Sequence, residues 1–269
     1  MCFHQPVLLT EVTELMNIAR DCGYYCDCTA GGGGHLEKFL QMTHRAQFIG
    51  IDWDPEAIAY ARQRLLCFGT RVSLFQDNYI QLDLILDHLK INEINGVIFD
   101  FGVSFHQIAS DRRGFSFDRD CPLKMNMAPD NPSLSECLEQ ADKFEIMQVL
   151  KDYGDVRNYR RVGAEIFEHR KELRSTGALR DLVIKNTPKR YHIKNLRRVF
   201  QALRIWVNKE LENVESGLIR AFARLAPDGR LITIAYHSGE DRIVKQQFRK
   251  WHQEGQGRQL NRKVIRPSA

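Results

Sequence analysis

A run of four glycines and two acidic residues carry the first chemical signal in the chain. Asp27-Cys28-Thr29-Ala30-Gly31-Gly32-Gly33-Gly34-His35 lies between an apolar, strand-like run and a helix-like segment. Glycine backbone can approach a ligand closely and adopt positive φ. The N–H groups that open the following helix suit an anionic group. Asp52 follows about 20 residues later, closing the next apolar run, where a carboxylate can accept hydrogen bonds from both hydroxyls of a ribose.

Such a pairing is common to nucleotide-cofactor folds, and the dinucleotide pattern GxGxxG divides them. It fails here in every register: Gly31 and Gly33 would need glycine where Leu36 stands, and Gly32 and Gly34 where Glu37 stands. With Asp27 placed before Gly31-x-Gly33, the turn suits a cofactor with a sulfonium and a carboxylate end in place of a pyrophosphate. Asp100 closes a later apolar run, where open parallel sheets bind ligands.

These residues need a scaffold, and the pattern supplies one. Short apolar runs at 24–28, 47–51, 72–75 and 96–99 alternate with helix-like segments, including one that Pro55 opens. That order predicts βαβ units and a parallel sheet with helices on both faces, the doubly wound α/β class. Residues 110–135 read as a long loop. A helical block then runs to about 187, with a cap signal at Ser175-Thr176. One long helix is expected over 195–225, ended by Pro227-Asp228-Gly229, and a further strand over 231–236. The α/β pattern is thus interrupted by a helical insertion and then resumes.

Composition narrows the class. At 269 residues, 43% hydrophobic and 27% charged, the chain can bury a sizeable core. No apolar run is long enough to span a bilayer, and the first residues do not read as a signal peptide. The seven cysteines are scattered, and no CxxC pair answers another, so free thiols in a reducing cytoplasm are expected and no metal site. Residues 157–204 hold 14 Lys and Arg against 4 Asp and Glu, a local +10 within a chain of net +5. A weakly acidic body with one concentrated basic segment suits a polyanionic partner.

Read together, several motifs resemble the bacterial ribosomal RNA cytosine-N4 methyltransferases of the MraW/RsmH type. They are His4-Gln5-Pro6-Val7-Leu8-Leu9, Gly31–His35, Ile51-Asp52-Trp53-Asp54-Pro55, Asp100-Phe101-Gly102-Val103-Ser104 and Arg113-Gly114-Phe115-Ser116-Phe117. Phe200-Gln201-Ala202-Leu203-Arg204-Ile205 with Val207-Asn208, and Tyr236-His237-Ser238-Gly239-Glu240-Asp241-Arg242, complete the set in the family's order. The resemblance implies a class I S-adenosylmethionine-dependent methyltransferase, a Rossmann-like doubly wound sheet formed by residues 1–115 and 200–269 with an inserted helical substrate-recognition domain at 116–199. It further implies that Gly33, Gly34 and His35 touch the cofactor, that Asp52 holds its ribose, that Tyr79 lies against the adenine, and that Asp100 and Gln107 complete the pocket. The implied partner is ribosomal RNA in the small ribosomal subunit, in the cytoplasm and away from any membrane; a homodimer is compatible.

The substrate side is less determined. The exocyclic amine of cytosine is a poor nucleophile, so a site must accept a hydrogen bond from its N–H and align the nitrogen. Asp100, Ser104 and a main-chain carbonyl all remain open as that acceptor, since the chain lacks the Asn/Asp-Pro-Pro-aromatic motif of many amine methyltransferases. Phe101, Phe105, Phe115 and Phe117 are candidate stacking surfaces, and Arg113 lies among them. Arg197, Gln201, Arg204 and Asn208 form one polar stripe at helical spacing, expected to line a cleft. His237 is expected at the site too, ahead of a helix cap in which Ser238 bonds the Asp241 amide. The Lys and Arg residues of 157–204, with Arg242, Lys245, Arg249 and Lys250, would position RNA through its phosphates.

Phe105, Ala109, Lys124, Asn126 and Gly239 depart from the resembled pattern, and they cluster on the substrate side. Two other readings therefore stand beside the first. One is a diverged paralogue acting on another RNA or nucleobase. The other is a non-catalytic RNA- or ribosome-binding module on the same fold.

Overall fold

The computed structural model describes residues 6–18, 22–104, 107, 108, 110, 112–261 and 263–267. In chain order, α1 (Leu9–Met16) precedes β1 (Tyr24–Asp27), α2 (Gly34–Met42), β2 (Gln47–Asp52), α3 (Pro55–Arg64), β3 (Val72–Gln76), α4 (Leu82–His88) and β4 (Ile94–Asp100). The helical block comprises α5 (Leu134–Gln140), α6 (Lys143–Asp152), α7 (Tyr159–His169), α8 (Thr176–Lys185) and α9 (His192–Asn208). Then come α10 (Glu210–Ala223), β5 (Leu225–Ile234) and α11 (Ser238–Gln253). The chain divides into two compact units, Met1–Gly102 with Leu211–Ala269, and Val103–Glu210. The sequence boundaries at 115/116 and 199/200 fall inside the second unit. Helix α9 is continuous through residue 200, and its Phe200, Leu203 and Val207 pack in that unit's core.

The first unit is a five-stranded sheet in the order β3-β2-β1-β4-β5, with every pair parallel. Each strand alternates between two apolar layers, as a sheet covered on both faces requires. Tyr25, Phe48 and Ile98 pack with Val12, Leu36 and Phe39 of α1 and α2. Cys26, Ile49 and Val97 face the other way, against Leu82, Leu218 and Trp251 of α4, α10 and α11. Gly50 makes the first layer fit, since a Cβ there would lie 2.7 Å from Leu36 Cδ1.

Strand register sets the site. Asp27 at the end of β1 is level with Gly50 on β2 and Ile98 on β4. Asp52 and Asp100 therefore stand two residues further out on the flanking strands. The carboxyl edge of the sheet carries a notch with one carboxylate at its base and one on each side. From β1 the chain winds outward to β2 and β3, then crosses back to β4 on the other side of β1, so the sheet's topological switch point lies between β1 and β4.

The structure departs from the sequence expectation in two places. The helix expected over 195–225 is two helices, broken where Lys209 takes a left-handed conformation at φ 50°. Likewise Pro227-Asp228-Gly229 does not precede the last strand but sits inside β5. Asp228 adopts φ 63°, and the register against β4 shifts between Ile94 and Gly96. The turn residues thus form a bulge.

In the second unit, α5–α9 enclose an apolar core that includes Leu138, Ile146, Val162, Leu179 and Val199. The caps follow ordinary chemistry: Ser133 and Glu136 form a reciprocal box on α5, and Ser175 caps α8 by accepting from the Ala178 amide. Asn208 closes the core end of α9. Its Oδ1 accepts from the Met127 amide at 2.8 Å, and its Nδ2 donates to the Met125 carbonyl at 2.8 Å. At 2% exposure neither backbone group has water as a substitute. Asn208→Ala should therefore cost about 1–3 kcal/mol of unfolding free energy, read as a lowered midpoint in denaturant; an unchanged midpoint would refute the strut.

Candidate active site

The notch at the sheet edge brings Asp27, Asp52 and Asp100 together with the glycine turn. Asp52 fastens the turn to β2: its Oδ2 accepts from the Gly31 amide at 2.8 Å and its Oδ1 from the Asp54 amide at 2.9 Å. A carboxylate oxygen accepts more than one hydrogen bond, so ligand hydroxyls can share the same group. Gly31 at φ 50° and Gly33 at φ 77° carry the bend, and Gly33 is the N-cap of α2. Gly34 opens the helix where a Cβ would stand 2.3 Å from Pro6 Cγ. The imidazole of His35 is buried, with Nε2 3.1 Å from the Val7 carbonyl. Tyr79 follows β3 in a short 3₁₀ turn, edge-on to Phe99 with ring centroids 5.4 Å apart.

Asp27 is 1% exposed. Its Oδ1 accepts from the Thr29 amide at 3.1 Å, and its Oδ2 has no partner among the described residues. Burial pushes its pKa up to about 7; the Thr29 amide works against that shift, and the charges of Asp100 and Asp52 add to it. Thr29 also links the notch, since its hydroxyl accepts from the Asp100 amide at 2.6 Å. Burial raises Asp100 to about 6, eased by a hydrogen bond from the Tyr236 hydroxyl and reinforced by the charge of Glu240. That bond, from Tyr236 Oη to Asp100 Oδ1, measures 2.8 Å. Neither Asp27 nor Asp100 has a cationic partner among the described residues.

This arrangement fits a cofactor with a cationic centre beside a nucleoside. An orphaned buried acceptor, two further carboxylates and a side-chain-free bend lie at one strand edge. Asp27 would hold the cationic end with the charge of Asp100 beside it, Asp52 the ribose, and Tyr79 would bound the base.

The other sequence candidates that are described have local partners. In the second unit, Ser104 and Gln107 bond each other: the Ser104 amide donates to Gln107 Oε1 at 3.0 Å, and the Gln107 amide to Ser104 Oγ at 3.2 Å. Arg113 donates to the Met127 carbonyl at 2.7 Å and lies 5.8 Å over the Phe115 ring. Two residues of the polar stripe of α9 have partners within the second unit. Arg204 makes two 2.8 Å bonds to Glu210, and Asn208 is the buried strut described above. Two of the four stacking candidates pack against other rings, Phe101 fully buried and Phe117 half-buried. Phe101 is 3% exposed and stacks on Phe99 at 5.4 Å, while Phe117 meets Phe200 edge-on at 5.5 Å. Phe105 and Ala109, with His4 and Gln5 of the first motif, lie outside the described residues.

The cap of α11 is also displaced by one residue. His237, not Ser238, is the N-cap: its Nδ1 accepts from the Gly239 and Glu240 amides, while the Asp241 amide bonds the His237 carbonyl. Glu240, buried, reaches back to accept from the Tyr236 amide at 2.8 Å and the His237 amide at 3.3 Å. Accepting at Nδ1 assigns the imidazole proton to Nε2, 3.2 Å from Glu240 Oε1. Tyr236 itself was not apparent as a site residue. Beyond its place in the Tyr236–Arg242 motif, the physical signal for it is that parallel strands end together, so the residue just past β5 arrives beside the end of β4.

Comparison with known proteins agrees with this geometry. The profile of the MraW methylase family matches residues 1–268. A protein of Coprothermobacter proteolyticus named ribosomal RNA small subunit methyltransferase H is 39% identical over 268 residues, 98% of this chain and 89% of its own length. One of the same name from Heliobacterium modesticaldum is 40% identical over 257 residues, 92% of this chain and 82% of its own.

Because the folded pKa of Asp27 lies above its ordinary value, folding favours the protonated acid. The stability this group allows is present in acid and lost as pH rises from about 4 through about 7. Asp27→Asn should therefore melt higher than the parent at about pH 8 and nearly level with it at about pH 4, while binding S-adenosylmethionine at least tenfold more weakly at the higher pH. Melting curves and calorimetry check both halves; undiminished cofactor affinity would remove Asp27 from the site.

Proposed function

The chain belongs to the MraW methylase family, and from that premise we propose that it methylates the exocyclic N4 amine of a cytidine in small-subunit ribosomal RNA, using S-adenosylmethionine. The carrying observation is the notch, where a buried carboxylate with one oxygen unpartnered among the described residues lies between two others at the switch point of a class I methyltransferase sheet. The relatives' shared name supports the ribosomal substrate.

When bound, the cofactor supplies a methyl on a positively charged sulfur, which keeps the bonding pair as the amine nitrogen forms its new bond to carbon. The protein's part is placement and charge. Of the acceptors left open by sequence, Asp100 suits the amine best. Its carboxylate can take a hydrogen bond from the N–H and then the proton released as the amine is alkylated, since a pKa of about 6 leaves it mostly ionised at neutral pH. Ser104 is less apt because a neutral hydroxyl is too weak a base to take the released proton.

RNA is held by the helical unit Val103–Glu210. Between the end of α8 and the first turns of α9, Lys185, Lys189, Arg190, Lys194 and Arg197 are all exposed and form no ion pair among the described residues. Tyr191 stands among them, 40% exposed, with Arg190 4.7 Å over its ring. Basic side chains interleaved with an exposed aromatic suit a phosphate backbone and an unstacked base. Among the described residues no helix is long and apolar enough to cross a membrane. A ribosomal RNA substrate sets the reaction in the cytoplasm, where small subunits are assembled.

Nucleoside mass spectrometry of small-subunit ribosomal RNA from a strain lacking the gene should show loss of an N4-methylcytidine, restored by the gene in trans; an unaltered level would defeat the cytidine assignment. Replacing Lys189, Arg190 and Lys194 together by alanine should flatten the plot of log affinity against log salt by about 0.7–0.9 for each phosphate no longer neutralised. An unchanged slope in filter binding would place the RNA elsewhere.

A further inference from the structure

The geometry points to Tyr236 as the platform on which the target base stacks, with its hydroxyl holding Asp100 in the orientation that receives the amine. This rests on the reading of the site given above and adds to it a residue and a specific task.

Methylation at an exocyclic amine needs the base out of its stack and held flat, and aromatic side chains usually supply that surface. The segment after β4 cannot do so through Phe101, which is buried against Phe99 and Tyr79. Tyr236 is 55% exposed, yet it is held at three points. Its hydroxyl donates to Asp100 at 2.8 Å, and its backbone amide donates to the buried Glu240 at 2.8 Å. Its ring edge lies against Gly102, where a Cβ would sit 3.4 Å from Cδ2 and where φ is 96°. An exposed aromatic ring fixed in this way loses little freedom when a base covers it. Among the described residues the Tyr236 hydroxyl is the one hydrogen-bond donor to the Asp100 carboxylate, and it takes Oδ1. Oδ2 is left for the amine. Ring and acceptor are thereby coupled at a fixed distance, so a base lying on the ring presents its edge to the carboxylate.

Three variants and one probe test this on the full-length protein, using small ribosomal subunits from a strain lacking the gene. Tyr236→Leu and Tyr236→Ala should lower kcat/KM for the subunits about tenfold to a hundredfold, with the dissociation constant for S-adenosylmethionine within about threefold of the parent. Tyr236→Phe keeps the ring and should restore KM. Loss of its hydroxyl leaves Asp100 facing Asp27 and Glu240 without that donor, so the acidic limb of the rate profile should move to higher pH. Circular dichroism melts separate these effects from misfolding. Independently of turnover, a short RNA carrying 5-iodocytidine should photocrosslink to Tyr236, located by peptide mass spectrometry. Normal kcat/KM in Tyr236→Leu, or equal losses in the Phe and Leu variants, would overturn the proposal, as would a crosslink mapped away from Tyr236. Should the parent enzyme make no N4-methylcytidine while the crosslink forms at Tyr236, the reaction assigned above would fall and the platform would stand.

Discussion

One buried carboxylate without a cationic partner among the described residues governs this molecule. Asp27 lies at the base of a notch whose walls each carry a further acid, and nothing positive among the described residues relieves it. Strand register produces this arrangement, because β1 stops two residues short of its neighbours on both sides. A protein that served only to fold would place an apolar residue there. Keeping an acid instead costs stability at neutral pH and creates a local field suited to a cation, a trade that recurs at functional sites.

Around that centre, the supporting interactions form a short chain of dependence. Asp52 fixes the glycine bend, and Thr29 ties the end of β4 to the turn after β1. On the far side, the cap of α11 orients everything beyond β5. Glu240 holds the backbone at Tyr236 and His237, so the helix start and the placement of the phenol are one structure. The same glutamate raises Asp100 through its charge, while the phenol lowers it. Burial is the main cause of the raised pKa of Asp100, and the two groups that modulate it are placed by a single cap.

Much of this was legible in the residues. The parallel sheet followed from short apolar runs separated by helical spacing, and Asp52 followed from its place at the end of the second run, because strand ends are where side chains leave the core. What was not legible depends on tertiary packing. Lys209 breaks a helix by taking a left-handed conformation that its residue type does not announce. Arg204 and Asn208 have the spacing of a polar stripe, but their partners are Glu210 and the backbone at Met125 and Met127, which no helical period reveals. Phe101 and Tyr236 are both aromatics just outside strands, and only packing separates the buried ring from the open one. Local pattern fixes which elements form; which polar groups remain available is decided by what folds against them.

The insertion has a consequence for synthesis. Four strands of the sheet emerge from the ribosome before the helical unit, and the fifth only after it, since β5 begins at Leu225. Until then β4 has one side unpaired, and the apolar face that α10 and α11 will cover is open. The nascent chain must carry a sticky, unfinished sheet through the production of more than a hundred residues, a window in which chaperone capture or strand exchange between neighbouring chains competes with completion. The contiguous helical unit meets no such delay, since every element that builds its core has been made before β5 begins.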